Sequence, residues 1–307
     1  MKPDMTDSRT SPEPANPLDV SVVIPTYNRP ATLARCLLAL EQQDYHRDHF
    51  EVIVVDDGSP TPAARLAEQL PKDFPVTFLR QENSGPAIAR NVGALRARGR
   101  LLVFTDDDCA PTPDWLSCLV KCAASHPSAA IGGKTINALI GNPFSSASQQ
   151  LVDYLYVVFN RPGSKAGWMF TSNNLALPTA MFRAIGGFAS DFPHAAAEDR
   201  ELCDRWQFEG NDMVYEPNAL IYHSHHLSLA SYVRQHFNYG RGAYRVQCLR
   251  RTRGIASRLE PLRFYVDLVR SPFGQQRIHR AALATILLGV AQIANAAGYF
   301  WQKRESS

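Results

Sequence analysis

Segments of strand length and of helix length alternate through the first 105 residues of the chain. The strand-like segments are apolar, and the segments between them repeat apolar residues at helical spacing or carry helix-start signals. Strands are predicted at residues 20–25, 50–55, 76–80 and 101–105, and helices at residues 32–43, 62–70 and 86–98. Such a βαβαβαβ series predicts an α/β fold, with a parallel, doubly wound sheet and helices on both of its faces.

The second half of the chain is less regular. Helices are predicted at residues 114–125, 181–185 and 198–210, and a strand within residues 131–139. Residues 1–19 are rich in proline and hydroxyl residues without an apolar run, so we expect a disordered tail that is not a signal peptide. We further expect the rest of the chain to divide into residues 20–110, residues 111–230 and a basic helical extension at 231–307.

Polar residues follow three of the predicted strands. They are the segments Thr26-Tyr27-Asn28-Arg29, Asp56-Asp57-Gly58-Ser59 and Asp106-Asp107-Asp108. Open α/β sheets bind ligands at the carboxyl ends of their strands, so the three loops are expected to share one crevice. Three adjacent carboxylates at a sheet rim need a cation or strong donors, and oxygen ligands favour Mg²⁺ or Mn²⁺ with positions left for phosphates.

Composition narrows the classes of protein that need consideration. At 307 residues and 45% hydrophobic content the chain can bury a sizeable core. Its six cysteines form no CxxC pair, which favours a reducing, cytoplasmic setting over a disulfide scaffold. No GxGxxG follows the first strand, which argues against a dinucleotide-dependent oxidoreductase, and no recognisable nucleic-acid-binding module is present.

A set of motifs in a specific order resembles the family 2 glycosyltransferases, which have the GT-A fold. The motifs are SVVIPTYNRP (21–30), VVDDGS (54–59), NSGPAIARNVG (83–93), FTDDDC (104–109), SNNLA (172–176), GGF (186–188) and EDRELCDRW (198–206). The resemblance runs from about residue 20 to about residue 245, and it implies a nucleotide-binding half at 20–110 and an acceptor-binding and catalytic half at 111–230. It implies inverting transfer of a sugar from a nucleotide-diphosphate sugar to an acceptor hydroxyl, with a divalent metal, Mn²⁺ or Mg²⁺, as cofactor.

The resemblance also implies roles for residues on the donor side. Pro25, Thr26 and Tyr27 match the turn that packs on the nucleobase. Asp57 matches the carboxylate that accepts hydrogen bonds from the base, for which a uracil-type N–H and therefore a UDP-sugar would be suitable. Arg90 matches an arginine that contacts the nucleotide or steadies the acidic loop.

Metal ligands and a catalytic base follow from the same match. Asp106 and Asp108 match the two aspartates of the DxD motif, with Asp108 nearest the metal, Asp106 toward the ribose, and Asp107 completing the turn or contacting the donor. His223 is expected as a further ligand, with His225 as its alternate. Asp199 matches the general base that takes the acceptor proton, with Glu198 as its alternate.

The acceptor side is less specified. Asn173, Asn174 and Trp206 are expected to line the sugar and acceptor pocket, because amides and aromatic faces suit hydroxyl-rich rings. The acceptor could be a glycan, a lipid-linked saccharide or a glycolipid. Processive synthases of the family carry QxxRW, whereas Gln235 here begins QHFNYGRG, which favours a single addition. A catalytically inactive, nucleotide-sugar-binding assembly partner is the alternative.

Charge is concentrated near the C-terminus. Residues 232–280 contain eleven arginines and no lysine against Glu260 and Asp267, a net +9, so the rest of the chain carries −6 of the total +3. An apolar segment follows at residues 281–302, in which Thr285, Gln292, Asn295 and Gln302 form a polar stripe at helical spacing. We expect an amphipathic helix that lies on an anionic inner membrane surface or packs on the catalytic domain.

Overall fold

The computed structural model describes residues 18–160, 168–190, 192, 196–255, 260–274 and 278–306. The predicted tail therefore lies almost wholly outside the described residues. The strands are β1 Val20–Thr26, β2 Phe50–Asp56, β3 Val76–Arg80, β4 Leu101–Thr105, β5 Cys109–Pro111, β6 Ala130–Asn137, β7 Asn174–Pro178 and β8 Met213–His223. The helices are α1 Pro30–Glu41, α2 Pro86–Arg96, α3 Trp115–Ser125, α4 Pro143–Phe159, α5 Thr179–Ala184, α6 Glu198–Phe208, α7 Leu229–Thr252, α8 Leu262–Arg270 and α9 Ile278–Glu305.

One sheet joins residues 20–110 to residues 111–230. We call these two segments together the catalytic region, after the role expected for them. The eight strands of the sheet lie in the order β3-β2-β1-β4-β7-β6-β8-β5. The first four pair in parallel, as the alternation predicts, and β1 and β2 are buried along their whole length. Two apolar clusters cover the two faces of this sheet, one beneath α1 and α3 and the other beneath α2, α5 and α6.

The later strands depart from the parallel pattern. β7 runs antiparallel to both β4 and β6, and β5 runs antiparallel to β8. The sequence analysis did not predict β7, because its residues Asn174–Pro178 read NLALP and include no β-branched or aromatic residue that would favour a strand. It also did not predict α4, which begins at the side-chain cap of Asn142 on the backbone N–H groups of Phe144 and Ser145. The sheet is therefore mostly parallel only in its N-terminal half.

The C-terminal extension is a set of helices that packs on the catalytic region. α9 buries a stripe of small and aliphatic residues that includes Ala284, Leu288 and Ala291. It crosses α7 so closely that a Cβ on Gly240 would lie 1.8 Å from the Asn295 oxygen, and one on Gly298 would lie 1.9 Å from the Phe237 oxygen. Glycine is thus required on both sides of this crossing.

The polar stripe of α9 faces the protein. Thr285 donates to the Val269 oxygen at 2.8 Å, and buried Gln302 accepts from Nε of Arg241 at 3.1 Å. By length and hydropathy alone α9 could cross a membrane, although 39% of its most apolar window is buried against the protein. α9 therefore packs on the catalytic region, which is one of the two expected arrangements.

Candidate functional site

The three loops that follow β1, β2 and β4 meet at one edge of the sheet. Thr26, at the end of β1, donates its hydroxyl to Oδ2 of Asp107 at 2.7 Å. Asp57, after β2, lines the same cavity as Tyr27 and Asp106. The crevice predicted from the order of strands and polar residues is therefore present.

Two arginines neutralise the acidic loop. Arg29 NH1 lies 3.0 Å from Oδ1 of Asp107 and 2.9 Å from Oδ2 of Asp108. Arg90, only 4% exposed, donates to Asp106 at 2.7 Å and to Glu198 at 3.1 Å. Arg90 therefore steadies the acidic loop and ties it to the N-terminus of α6, which is one of the two roles expected for it.

Asp107 is a buried structural member of the loop. Burial raises the pKa of its carboxyl to about 6, although the Arg29 charge and the Thr26 hydrogen bond oppose this rise. Both of its oxygens are engaged by chain donors. This arrangement agrees with completion of the turn, and the carboxyl also borders the cavity.

Asp108 lies between two histidines. Nε2 of His223, the last residue of β8, is 3.1 Å from its Oδ1, and Nδ1 of His225 is 3.5 Å from its Oδ2. Burial would raise the pKa of the Asp108 carboxyl, but the adjacent imidazoles and Arg29 hold it well below its ordinary value. For His225 burial acts in the other direction and by itself would lower the pKa of the imidazole. The contacts with Asp108 and Gln235 have the larger effect, so the pKa of His225 is raised above its ordinary value.

The donor set fits a hard divalent metal. Oδ1 of Asp108 is buried and receives no hydrogen bond of good geometry among the described residues, although the His223 nitrogen lies close to it. Ligand atoms of Asp108, Cys109 and His223 fall within 4.8 Å of one another. Burial raises the pKa of the Cys109 thiol well above its ordinary value, so a neutral thiol is a poor ligand there. Carboxylate and imidazole donors suit Mn²⁺ and, less readily, Mg²⁺.

Asp57 is held in place by the segment after β3. Its Oδ1 accepts from the Gln81 side chain at 2.7 Å and from the Ser84 backbone N–H at 2.9 Å, and its Oδ2 accepts from Gly85 N–H at 2.9 Å. The carboxylate is 5% exposed, and Oδ2 retains a lone pair for a ligand. Because three hydrogen bonds already fix the Asp57 carboxylate, it can accept one further hydrogen bond from a ligand in a well-defined direction.

Glu198 and Asp199 begin α6 and differ in their surroundings. Glu198 is buried and paired with Arg90. Asp199 instead accepts from the Arg200 N–H at 2.7 Å and from the Ser172 N–H at 3.4 Å. Burial, together with the Glu198 charge, raises the pKa of Asp199 from its ordinary 3.8 to about 7. A carboxyl with a pKa near neutrality is suited to exchange a proton with a bound hydroxyl.

Two of the three residues expected in the acceptor pocket lie elsewhere. Trp206 is fully buried in the core and donates Nε1 to the Asp212 oxygen at 2.8 Å. Asn174 is also fully buried, and its amide bonds to Trp115, Lys134 and Ala219. Both expectations are corrected, because these side chains fill packing and hydrogen-bonding roles. Asn173 does line the cavity.

The cavity encloses about 1180 Å³ and contains most of the expected site residues. Its walls include the residues Pro25, Thr26, Tyr27, Asp57, Arg90, Asp106, Asp107, Asn173, Glu198, Asp199, His223 and His225. Asp108 lies just behind this wall in contact with the histidines. One crevice thus combines the acidic loops at the strand ends with Asp199, whose carboxyl has a raised pKa.

The sequence analysis gave no site role to two contributors. Arg29 was placed at the crevice with its loop, and the need of three adjacent carboxylates for a nearby cation could have assigned its role. Gln235 accepts from Nε2 of His225 at 2.7 Å while its own amide donates to Ser148 and Tyr239. With Nε2 donating to Gln235, Nδ1 of neutral His225 keeps its lone pair for a cation, and only protonated His225 can donate from Nδ1 to Asp108. Nothing in a single sequence signals this contact.

Known proteins with related sequences are glycosyltransferases. The chain is 30% identical over 222 residues to validoxylamine A glucosyltransferase of Streptomyces hygroscopicus subsp. jinggangensis, which covers 64% of this chain and 53% of that protein. It is 29% identical over 231 residues to the pre-mycofactocin glycosyltransferase of Mycobacterium tuberculosis, covering 73% of this chain and 47% of the relative. The chain therefore spans about half the length of these relatives.

Solved structures with the same fold bind nucleotide sugars. The mannosyltransferase PcManGT from Pyrobaculum calidifontis, in complex with GDP-Man and Mn²⁺, matches with a TM-score of 0.65 at 20% identity over 95% of this chain and 90% of that one. S. aureus TarS 1-349 with UDP-GlcNAc matches at 0.54 and 18% identity over 94% and 91%. At these identities the likeness establishes the GT-A fold.

The family assignment rests on the N-terminal part of the site. The family model described as "Glycosyl transferase family 2" matches residues 21–189. This span contains the β1 turn, Asp57, Arg90 and the three aspartates, and it ends before Glu198, Asp199 and the two histidines. With the GT-A fold and the crevice at the strand ends, the match establishes that the chain belongs to glycosyl transferase family 2.

Proposed function

We propose that this glycosyltransferase is a metal-dependent, inverting enzyme that transfers a sugar from a nucleotide-diphosphate sugar to an acceptor hydroxyl. The observation that carries the proposal is the placement of Asp199, with a pKa of about 7, in the cavity that Asp57, Asp106 and His223 also line. A base and a donor-binding edge in one crevice are the minimum for direct displacement at a sugar carbon.

The donor side is assigned from the contacts of the three loops. Tyr27, about half exposed, offers a ring for the nucleobase, and Asp57 offers the remaining lone pair of Oδ2 to a base N–H. A UDP-sugar is our first choice, because a single acceptor suits the one imide N–H of uracil. Solved structures with the same fold bind UDP-GlcNAc and GDP-Man, so a GDP-sugar is our second choice of donor.

The transfer itself needs little covalent chemistry from the protein. The acceptor oxygen forms its bond to C1 as the bond from C1 to the diphosphate oxygen breaks, and that electron pair leaves with the diphosphate. Asp199 takes the acceptor proton, while Glu198 is held by Arg90 and is less available as a base. A divalent ion held by Asp108 and His223, with His225 and Asp106 adjacent, would offset charge on the leaving diphosphate.

Single addition is proposed over processive polymerisation. The segment at residues 235–242 reads QHFNYGRG where processive relatives carry QxxRW. Within the described ranges, α9 alone has the length and hydropathy of a membrane span, and part of it is buried against the protein. Both observations favour an enzyme that releases its product after one transfer.

We also propose that the protein attaches peripherally to the cytoplasmic face of an anionic membrane. α9 exposes Ile286, Ile293 and Phe300 at spacings of seven residues, with exposed fractions of 63%, 73% and 64%. Arg270 at the end of α8 and Arg280 in the first turn of α9 are also exposed. Other arginines of the basic segment are used internally, since Arg250 and Arg253 pair with Asp204 and Glu201.

A thermal-shift screen of nucleotide sugars with and without Mn²⁺ tests the donor assignment. A true donor at 100 times its Kd should stabilise the fold by about 2.7 kcal/mol. We expect one nucleotide class to raise the Tm only when Mn²⁺ is present. Donor hydrolysis in the same samples then separates an active transferase from an inactive binding partner, because only the former releases free sugar.

A further inference from the structure

The cavity continues well past the residues that the sugar transfer needs. Beyond Asp199 it runs between α4, α7, α8 and α9, and we call this part the apolar arm. Its apolar wall consists of Leu151, Leu155, Phe159, Ala243, Val246 and Phe264, and polar side chains, among them Arg250, Arg251, Gln292, Asn295 and Lys303, line it as well. The ring of Tyr154 packs on Phe264 at 5.2 Å, and its hydroxyl donates to the Phe264 oxygen at 2.8 Å, so α8 is fixed across α4.

The apolar arm opens on the outer surface beside the exposed strip of α9. Tyr265 and Phe300 both line the cavity and are exposed, at 37% and 64%. Phe300 is also the last member of the strip formed with Ile286 and Ile293. The cavity therefore runs from the surface of α9, through the opening at Phe300, to the carboxyl of Asp199, with one apolar wall along the way.

His236 also lines the cavity, one residue from Gln235, which contacts the proposed metal ligand His225. His236 is 1% exposed, and both of its ring nitrogens are without a hydrogen-bond partner in the part of the chain that the structure describes. It packs on Tyr232 and Tyr239, and its neighbour Gln235 contacts His225. Because an unpaired buried polar group is costly, these nitrogens are placed to receive a polar group of a ligand.

We propose that the acceptor is an amphiphile, a saccharide joined to a hydrocarbon tail, and that the apolar arm binds this tail while the hydroxyl end faces Asp199. This inference rests on the proposed function and selects the lipid-linked class among its acceptors. The opening beside Tyr265 and Phe300 lets a tail enter from the side of the α9 strip. His236 would contact the polar junction between tail and saccharide.

Binding of dodecyl maltoside below its critical micelle concentration, compared with maltose, tests the proposal on the full chain by calorimetry. The tail should strengthen binding at least about tenfold, because each buried methylene contributes favourably. Leu155→Asp and Ala243→Trp, which charge or fill the arm, should each remove most of that gain. Leu95→Asp on α2 is the matched control, since Leu95 is 73% exposed and outside the cavity.

Ile293→Asp separates the apolar arm from the surface strip, and it should leave detergent binding unchanged. The proposal is overturned if the tail gives no gain, or if the two arm variants bind dodecyl maltoside as the wild type does. The Mn²⁺-dependent thermal shift with the nucleotide sugar is measured on every variant. If the wild type shows no Mn²⁺-dependent thermal shift with any nucleotide sugar, the proposed function is overturned. If the wild type shows that shift but the tail does not strengthen detergent binding, only the proposed role of the apolar arm is overturned.

Discussion

Asp199 shows at the scale of single residues how the site combines function with a cost in stability. Its carboxyl lies next to Glu198 in a poorly hydrated position, and burial raises its pKa to about 7. A group whose folded pKa is raised destabilises the fold once it must ionise. In the unfolded chain Asp199 ionises near its ordinary pKa, so stability falls as pH rises from about 4 to about 7.

Replacement of this base should therefore stabilise the protein. Asp199→Asn removes the ionisation cost, and we expect a gain of about 1–3 kcal/mol in the free energy of unfolding at pH 8, discounted for partial exposure of the side chain. The gain should shrink at pH 5, where wild-type Asp199 is mostly protonated in the folded state. Urea unfolding at both pH values measures this. An equal gain at pH 5 and pH 8 would contradict the raised pKa.

The histidines supply a second test at this scale. His223→Ala removes the imidazole beside the unpaired Oδ1 of Asp108, and we expect Mn²⁺ affinity to fall at least about tenfold. Gln235→Leu should also weaken Mn²⁺ binding, because Gln235 fixes the orientation of His225. His226→Ala is the matched control, since His226 is exposed beside the site. Calorimetric titration with Mn²⁺ gives the comparison, and unchanged affinity in His223→Ala would remove that residue from the metal site.

Prediction from the sequence works for residues whose role follows from chain position. Asp57 and Asp106 lie just after the predicted strands at 50–55 and 101–105, so the rule for strand ends brings them to the crevice, whereas His223 was placed there by the family resemblance. Trp206 and Asn174 were misassigned because their types suit a sugar pocket equally well, and only the fold shows them bonded to Asp212, Trp115, Lys134 and Ala219. Contacts across large sequence separations, such as Arg90 with Glu198, are not encoded in local pattern.

Among the elements, α7 positions the helix that carries Asp199. Ala197, which precedes α6, has a φ of +70°, an uncommon value for a residue with a side chain. A Cβ on Gly242 of α7 would lie 2.4 Å from the Ala196 oxygen and 2.8 Å from Ala197 Cβ. The start of α6 is therefore held against α7 by a contact that only glycine permits.

Gly242→Ala should disturb the start of α6. We expect turnover to fall at least about tenfold and nucleotide-sugar binding to fall less, because the change displaces Asp199 directly and reaches the acidic loop only through Arg90. Gly289→Ala is the matched control: it lies in α9 with open space around its Cβ position, so the change should be neutral or stabilise by up to about 1 kcal/mol. Similar loss of turnover in both variants would show that the effect is not specific to α6.

Elements of the N-terminal half were predicted well because each has a local signal, an apolar run for a strand and helical spacing or a helix-start signal for a helix. β3 and β4 have the predicted bounds, and α2 begins at the predicted Pro86, while the helix predicted at 62–70 is a 3-10 helix, Ala63–Gln69. β7 was missed because NLALP has no residue that strongly favours a strand, and its antiparallel pairing with β4 depends on where residues 130–180 return to the sheet. The polar stripe of α9 was recognised, but only tertiary packing decides that it faces Arg241 and the cavity.

At the scale of the whole molecule, the exposed strip of α9 joins the catalytic cavity to a surface. We predict that the full chain sediments with vesicles containing anionic lipid and less with neutral vesicles. The double variant Ile286→Asp with Ile293→Asp should reduce the bound fraction at least about fivefold, because a charged side chain is unfavourable where the apolar face of the helix enters the membrane interface. Leu38→Asp on α1, an exposed leucine in the N-terminal half, is the control. Equal sedimentation of both variants would contradict the attachment.

The whole-molecule account is that donor, metal and base meet in one cavity, and turnover of the donor found by the thermal-shift screen tests it most directly. With Mn²⁺, Asp199→Asn should bind the donor within about threefold of the wild type yet lose at least about 100-fold in turnover. Asp108→Ala should lose both donor binding and turnover. Turnover near the wild-type level in Asp199→Asn, with donor bound, would contradict the assignment of Asp199 as the base.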